Sequence, residues 1–99
     1  MKYEWDPEKA VSNLGKHGIS FEQATAVFED PFAIEAFDDP HSTAEEYRYE
    51  RIGVADGGVI VVIYTVRGVT GSGEVIRIVS ARGAIKVEET EYLEQRYGK

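Results

Sequence analysis

Residues 47–66 read Tyr47-Arg48-Tyr49-Glu50-Arg51-Ile52-Gly53-Val54-Ala55, then Asp56-Gly57-Gly58, then Val59-Ile60-Val61-Val62-Ile63-Tyr64-Thr65-Val66. The first run alternates in polarity, the middle triplet is turn chemistry, and the last run is nearly all apolar, so the stretch predicts a β-hairpin. Unbroken apolarity from Val59 to Tyr64 further predicts a central strand covered on both faces, by helices on one of them. A second glycine-rich turn, Gly68 to Gly73, leads into Glu74–Arg82 and extends the hairpin to an antiparallel meander.

Upstream, Tyr3-Glu4-Trp5 suits a short strand. Asp6-Pro7-Glu8 then starts a helix, because Asp6 can accept from unpaired backbone N–H groups and Pro7 fits the first helical position. Ala10, Val11 and Leu14 supply an apolar stripe. Lys16 and His17 in the last turn suit the helix dipole, and Gly18 suits a left-handed cap. Ser20 and Gln23 form a capping-box pattern for a second helix carrying Phe21, Ala24, Val27 and Phe28, which Asp30-Pro31 ends. Phe32–Phe37 suits a short strand and Asp38–Glu46 a polar loop. Downstream, Ile85, Glu88, Glu89, Tyr92 and Arg96 recur at helical spacing and predict a terminal helix over 84–97. The expected class is α+β: two N-terminal helices on an antiparallel sheet of three to four strands, then a C-terminal helix, all in one domain over residues 1–99.

With 99 residues, 42% hydrophobic and 29% charged, the composition is that of a globular domain. Without cysteine, disulfide scaffolds, Cys-ligated metals and thiol catalysis are excluded. No apolar run is long enough to span a membrane, and Met1-Lys2-Tyr3-Glu4-Trp5-Asp6 has no signal-peptide core, so a cytoplasmic protein with no membrane partner is expected. The net charge of −7 argues against a nucleic-acid partner until its distribution is considered. Residues 1–46 carry three lysines against eleven carboxylates, whereas residues 47–82 carry five arginines against three carboxylates. An arginine-only positive segment lies inside an acidic chain.

Strand alternation places those arginines. In Glu74–Arg82, Val75, Arg77, Val79 and Ala81 are expected on one face and Ile76, Ile78, Ser80 and Arg82 on the other. Thr65 and Arg67 continue the face of Val61 and Ile63, and Arg48 shares a face with Glu50 and Ile52. Three neighbouring strands thus carry arginine, a set that can hold a phosphate bidentately and stabilise charge developing on it. Arg48, Arg51 and Arg67 are equally compatible with solvated strand positions paired to Glu50, Glu74 or the acidic helices. His41 is the only histidine in a loop, where catalytic groups often lie; as a lone histidine it is also compatible with a turn role. His17 fits a dipole partner. The two histidines have no metal-ligand spacing, and Gly71-Ser72-Gly73 has neither a P-loop lysine nor a dinucleotide fingerprint, so no metal and no cofactor are expected.

The order of short motifs adds a resemblance. Glu4-Trp5-Asp6-Pro7-x-Lys9-Ala10, Asn13-x-x-Lys16-His17-Gly18-x-Ser20-Phe21-Glu22 and Val27-Phe28-x-Asp30-Pro31 resemble the BrnT family of toxins. So do Asp39-x-His41-Ser42, Ile52-Gly53, Tyr64-Thr65-x-Arg67 and Arg77-Ile78-x-Ser80-Ala81-Arg82, in family order. The resemblance implies a RelE-like ribonuclease fold and the toxin of a type II toxin–antitoxin pair that inhibits translation by cleaving RNA without a metal. It implies a BrnA-like antitoxin with a ribbon-helix-helix domain, contact with operator DNA only through that antitoxin, and a 2:2 heterotetramer. His41, Arg67, Arg77 and Arg82 are the candidate catalytic residues, and Arg48, Tyr64 and Ser80 the candidate RNA contacts. Arg67 and Arg77 are expected to clamp phosphate with Arg82 assisting, while His41 moves protons, with Glu46 or Tyr64 as alternatives. The family usually continues the Ser-Ala-Arg motif with several basic residues. Here Gly83-Ala84-Ile85-Lys86-Val87-Glu88-Glu89 keeps one lysine. The alternative is therefore a catalytically weak or inactive toxin-fold protein that acts by binding antitoxin and regulating an operator.

Overall fold

A computed structural model describes residues 1–37, 42, 47–70 and 73–98. The described elements run β1 (Lys2–Glu4), α1 (Pro7–His17), α2 (Phe21–Ala24), a 3-10 turn (Thr25–Phe28), β2 (Ile34–Phe37), β3 (Arg48–Ala55), β4 (Gly58–Thr70), β5 (Gly73–Gly83) and α3 (Lys86–Tyr97). The local signals act as expected. Asp6 Oδ1 accepts from Glu8 N at 2.9 Å, and Gly18 closes α1 at φ 71°. Ser20 and Gln23 form a reciprocal capping box at 3.0 and 2.8 Å. Asp56 and Gly57 take positive φ (51° and 80°) in a two-residue turn that pairs Ala55 with Gly58.

Four expectations need correction: in α1, Val11 and Leu14 of the expected apolar stripe are exposed and the buried residue is Asn13. The sheet has five strands in the order β1-β5-β4-β3-β2, because β1 and β2 both join it, and β1 joins β5 in parallel. The second helix is shorter than its apolar spacing suggested: four α-helical residues tighten into a 3-10 turn. The terminal helix begins at Lys86 rather than Ala84.

Central strand β4 is covered on both sides. On one face Phe21, Ala24 and Val27 pack on Ile60, Val62, Tyr64, Ile76, Ile78 and Ala81. On the other, the fully buried Tyr92 of α3 packs on Ile52 and Val61. Gly53 allows the 3-10 turn to approach β3 closely, since a Cβ there would lie 3.1 Å from Val27 Cβ. The α3 helix is pinned by polar contacts as well. Tyr92 Oη donates to Asp30 Oδ2 at 2.5 Å, and Asp30 also accepts from Val54 N at 3.0 Å and Phe32 N at 2.9 Å. Burial pushes the Asp30 carboxyl up, but these hydrogen bonds and nearby Arg96 outweigh it and hold it below the usual carboxylate range.

The β1 strand pairs only with Val75–Arg77, leaving the rest of that edge of β5 without a strand. Buried Asn13 of α1 fills the gap: its Nδ2 donates to Ala81 O at 2.8 Å and its Oδ1 accepts from Ala81 N at 3.1 Å. One side-chain amide thus satisfies the donor and acceptor that a sixth strand would have taken.

Candidate nucleic-acid interface

Two irregularities in the β4–β5 pairing set the site. Tyr64 stands opposite Ile78, but Ile63 stands opposite Ser80, so Val79 has no counterpart and forms a bulge. Strict alternation had put Arg77 with Val79 and Ala81, and Ser80 with Arg82 on the other face. The extra residue reverses the parity beyond it. Ser80 and Arg82 therefore join the face of Arg77, while Ala81 turns to the helical side and is fully buried there. A second shift, between Val66/Ile76 and Gly68/Val75, leaves Arg67 as the unopposed residue.

On the resulting face the residues fall into cross-strand rows. One row reads Ile52, Val61, Arg82, and the next Glu50, Ile63, Ser80. Beyond them lies Arg48, Thr65, Arg77, Glu4, with one residue from each of β3, β4, β5 and β1. Tyr92 of α3 sits over the first row; the Arg48–Glu4 row lies further along the strands. Directly opposed side chains are about 5 Å apart, so Arg48 and Arg77 flank Thr65 at a total span of about 10 Å.

The guanidinium groups on this face are engaged. Arg77 Nη1 donates to Glu4 Oε2 at 2.8 Å, and Arg67 Nε lies 3.9 Å from the same oxygen. Arg82 makes a bidentate pair with Glu88 of α3 at 2.8 and 2.9 Å, so the hydrogen bond from Arg82 holds the Glu88 carboxyl below its ordinary range. At Arg48 the backbone N donates to Ser42 Oγ at 3.0 Å, which places the residue after His41 against this row. Thr65, 1% exposed, is the exception: its Oγ1 is buried and has no hydrogen-bond partner among the described residues.

Of the sequence candidates, Arg48, Arg67, Arg77 and Ser80 are gathered on one face, with Arg82 one row beyond Ser80 towards α3. His41 lies outside the described residues, as does Glu46. Tyr64, at 4% exposure, lies on the opposite, helical face, stacked on Tyr49 at 5.5 Å and against Phe28 at 4.9 Å. Arg51 is also on that face. Its Nε donates to Val27 O at 2.7 Å, and its guanidinium lies 5.5 Å from the Phe28 ring centre, which ties the 3-10 turn to β3. Two residues of the cluster escaped the sequence reading as site residues, Glu4 and Thr65. Thr65 had a visible signal, as the one aliphatic hydroxyl in the apolar run 59–66. The pairing that brings Glu4 to Arg77 joins the two ends of the chain and has no local signature.

Fold and face together define a class: a small α+β protein whose sheet carries a cluster of arginines on the side that α3 only partly covers. The family is specific. Residues 5–88 match the family model described as the ribonuclease toxin BrnT of type II toxin–antitoxin systems, and the chain belongs to that family. No curated protein matches it. Among the described residues, no helix is long and apolar enough to cross a membrane.

Proposed function

We propose that this chain is an endoribonuclease toxin, acting in the cytoplasm on RNA held by the Arg48–Thr65–Arg77 row. The carrying observation is that row: two guanidinium groups, on the strands either side of β4, flank a buried β4 hydroxyl that lacks a partner among the described residues. A phosphodiester offers oxygens to both guanidinium groups, and drawing them off the row uncovers the buried Thr65 hydroxyl for it. Glu4 holds Arg77 until RNA arrives, and binding exchanges one anion, the carboxylate, for another, the phosphate.

The chemistry needs no metal. A base takes the ribose 2′-hydroxyl proton and the 2′-oxygen bonds to the adjacent phosphorus. The bond to the 5′-oxygen then breaks, and that oxygen leaves with a proton. Products are a 2′,3′-cyclic phosphate and a 5′-hydroxyl. Arg77 and Arg67 stabilise the charge that gathers on the phosphoryl oxygens, an effect typically worth about 2–4 kcal/mol per donor. Ser80 contacts RNA one row away, and Arg82 adds its field at longer range. His41 carries the proton, a reading supported by Ser42 lying against Arg48 N. Tyr64, on the helical face, is left out of the RNA contacts. The test is incubation of purified protein with RNA in EDTA: fragments ending in 2′,3′-cyclic phosphate are expected, and intact RNA would refute the reading.

A second reading rests on the same ion pairs. Glu4 on Arg77 and Glu88 on Arg82, in a chain of net charge −7, also suit a toxin-fold module that binds antitoxin without cleaving RNA. Either way, the partner is a BrnA-like ribbon-helix-helix antitoxin that contacts operator DNA and covers the arginine face in a 2:2 complex.

A further inference from the structure

The cations best placed to meet a ligand are not the arginines. A cavity of about 240 Å³ opens between α1 and the bulged part of β5, lined by Lys9, Ser12, Lys16, His17, Val79 and Ser80, with Asn13 at its base. Among the described residues, no carboxylate lines it. Whereas Arg77 and Arg82 hold Glu4 and Glu88, Lys9, Lys16 and His17 make no ion pair among the described residues. Lys16 has Ser12, Asn13, Ile19 and Ser20 as its neighbours three and four positions away, so helical pairing offers it no acid. Lys9 has Asp6 three positions back, but the Asp6 carboxylate already accepts from Glu8 N as the helix cap.

Helix electrostatics explain only half of this arrangement. Lys16 and His17 sit in the last turn, where the dipole favours them. Lys9 sits in the first turn, where the dipole opposes a cation. Residues 1–46 contain only three lysines among eleven carboxylates, yet two of the three lie seven positions apart on the same stripe of α1 and face the same cavity. The cavity also adjoins the candidate site. Ser80 lines it, and Ser80 occupies the row next to Arg77 on the arginine face. The Val79 bulge that turns Ser80 to that face forms the wall of the cavity as well.

We propose that the α1–β5 groove is a second phosphate subsite: it binds the backbone of the RNA strand after that strand passes Ser80 on its way from the Arg48–Thr65–Arg77 row. Lys9 and Lys16 supply point charges to a phosphate, and His17 and Ser12 supply hydrogen bonds to it. This inference rests on the RNA-cleaving reading for its ligand, and its test separates the two.

The probe is a fluorescently labelled, 2′-O-methylated single-stranded RNA, which binds but cannot be cleaved, titrated at several salt concentrations. Each phosphate neutralised on a single strand contributes about 0.7 to the slope of log affinity against log salt. The double variant Lys9→Gln/Lys16→Gln is expected to flatten that slope by about 0.7, one phosphate's worth, and to raise KM on cleavable RNA while leaving kcat at the parent's value. Both positions are exposed on the helix surface and glutamine is a good helix former, so the melting temperature is expected to hold. Lys86→Gln, which removes a charge from α3 outside the groove, is expected to leave the slope unchanged. An unaltered slope in the double variant overturns the proposal, as does an equal loss per charge in Lys86→Gln. A parent that binds the probe but cleaves no RNA sinks the nuclease reading alone, and a parent that does not bind the probe sinks both.

Discussion

Thr65 is the buried polar side chain at the centre of the arginine row. It lies in a strand interior that continues the apolar run from Val59, where valine would fill the same volume without a polar atom. Leaving a buried hydroxyl unpaired costs about 1–3 kcal/mol, so its presence between Arg48 and Arg77 points to a task outside folding. Thr65→Val is expected to fold as well as the parent or better, with a melting temperature higher by about 4–8 °C per kcal/mol recovered, and to cleave RNA about tenfold more slowly. Thr65→Ser, which keeps the oxygen, is expected to retain most activity. Thermal melts and cleavage rates on the three proteins check this; a valine variant that is both less stable and fully active would give the hydroxyl a structural role instead.

At the scale of elements, α3 is fastened by two carboxylates, Asp30 to Tyr92 and Glu88 to Arg82. Both carboxyls are held below their ordinary range in the folded protein. A carboxyl lowered in this way stabilises the fold fully above its unfolded value of about 4, and that stabilisation is lost as pH falls through the lower folded value. Asp30→Asn is therefore expected to melt well below the parent at neutral pH and to converge on it as pH falls below the usual carboxylate range, which melting curves across pH would show. The elements themselves were largely legible in the sequence, because caps at Asp6 and Ser20, the Asp56-Gly57 turn and the apolar run from Val59 are local chemistry. Their facing was less so. Val75-Ile76-Arg77-Ile78-Val79-Ser80 alternates equally well with or without a bulge, and only pairing with β4 decides which residue is extra. The arginines of β3 and β4 were thus assigned to the correct face, while Ser80 and Arg82 were not. Likewise Arg51 differs from Arg48 by an odd offset, yet nothing local reveals that it serves Val27 O and Phe28.

For the whole molecule, net charge is a poor guide to the partner. The −7 total is an average over an acidic N-terminal region and a sheet face that gathers Arg48, Arg67, Arg77 and Arg82. A polyanion responds to the local field, which α1 extends through Lys9 and Lys16. The same face suits an acidic or apolar antitoxin segment, and the co-purified pair is expected to scatter light as two toxins with two antitoxins; a one-to-one mass would contradict that assembly. Central to the proposed chemistry is the grip of Arg77 on the scissile phosphate. Single-turnover cleavage of saturating RNA by the parent and by Arg77→Ala tests this most directly. The account predicts a rate lower by about 10²–10³-fold with the fold intact, and an Arg77→Ala protein that cleaves at the parent's rate would contradict it.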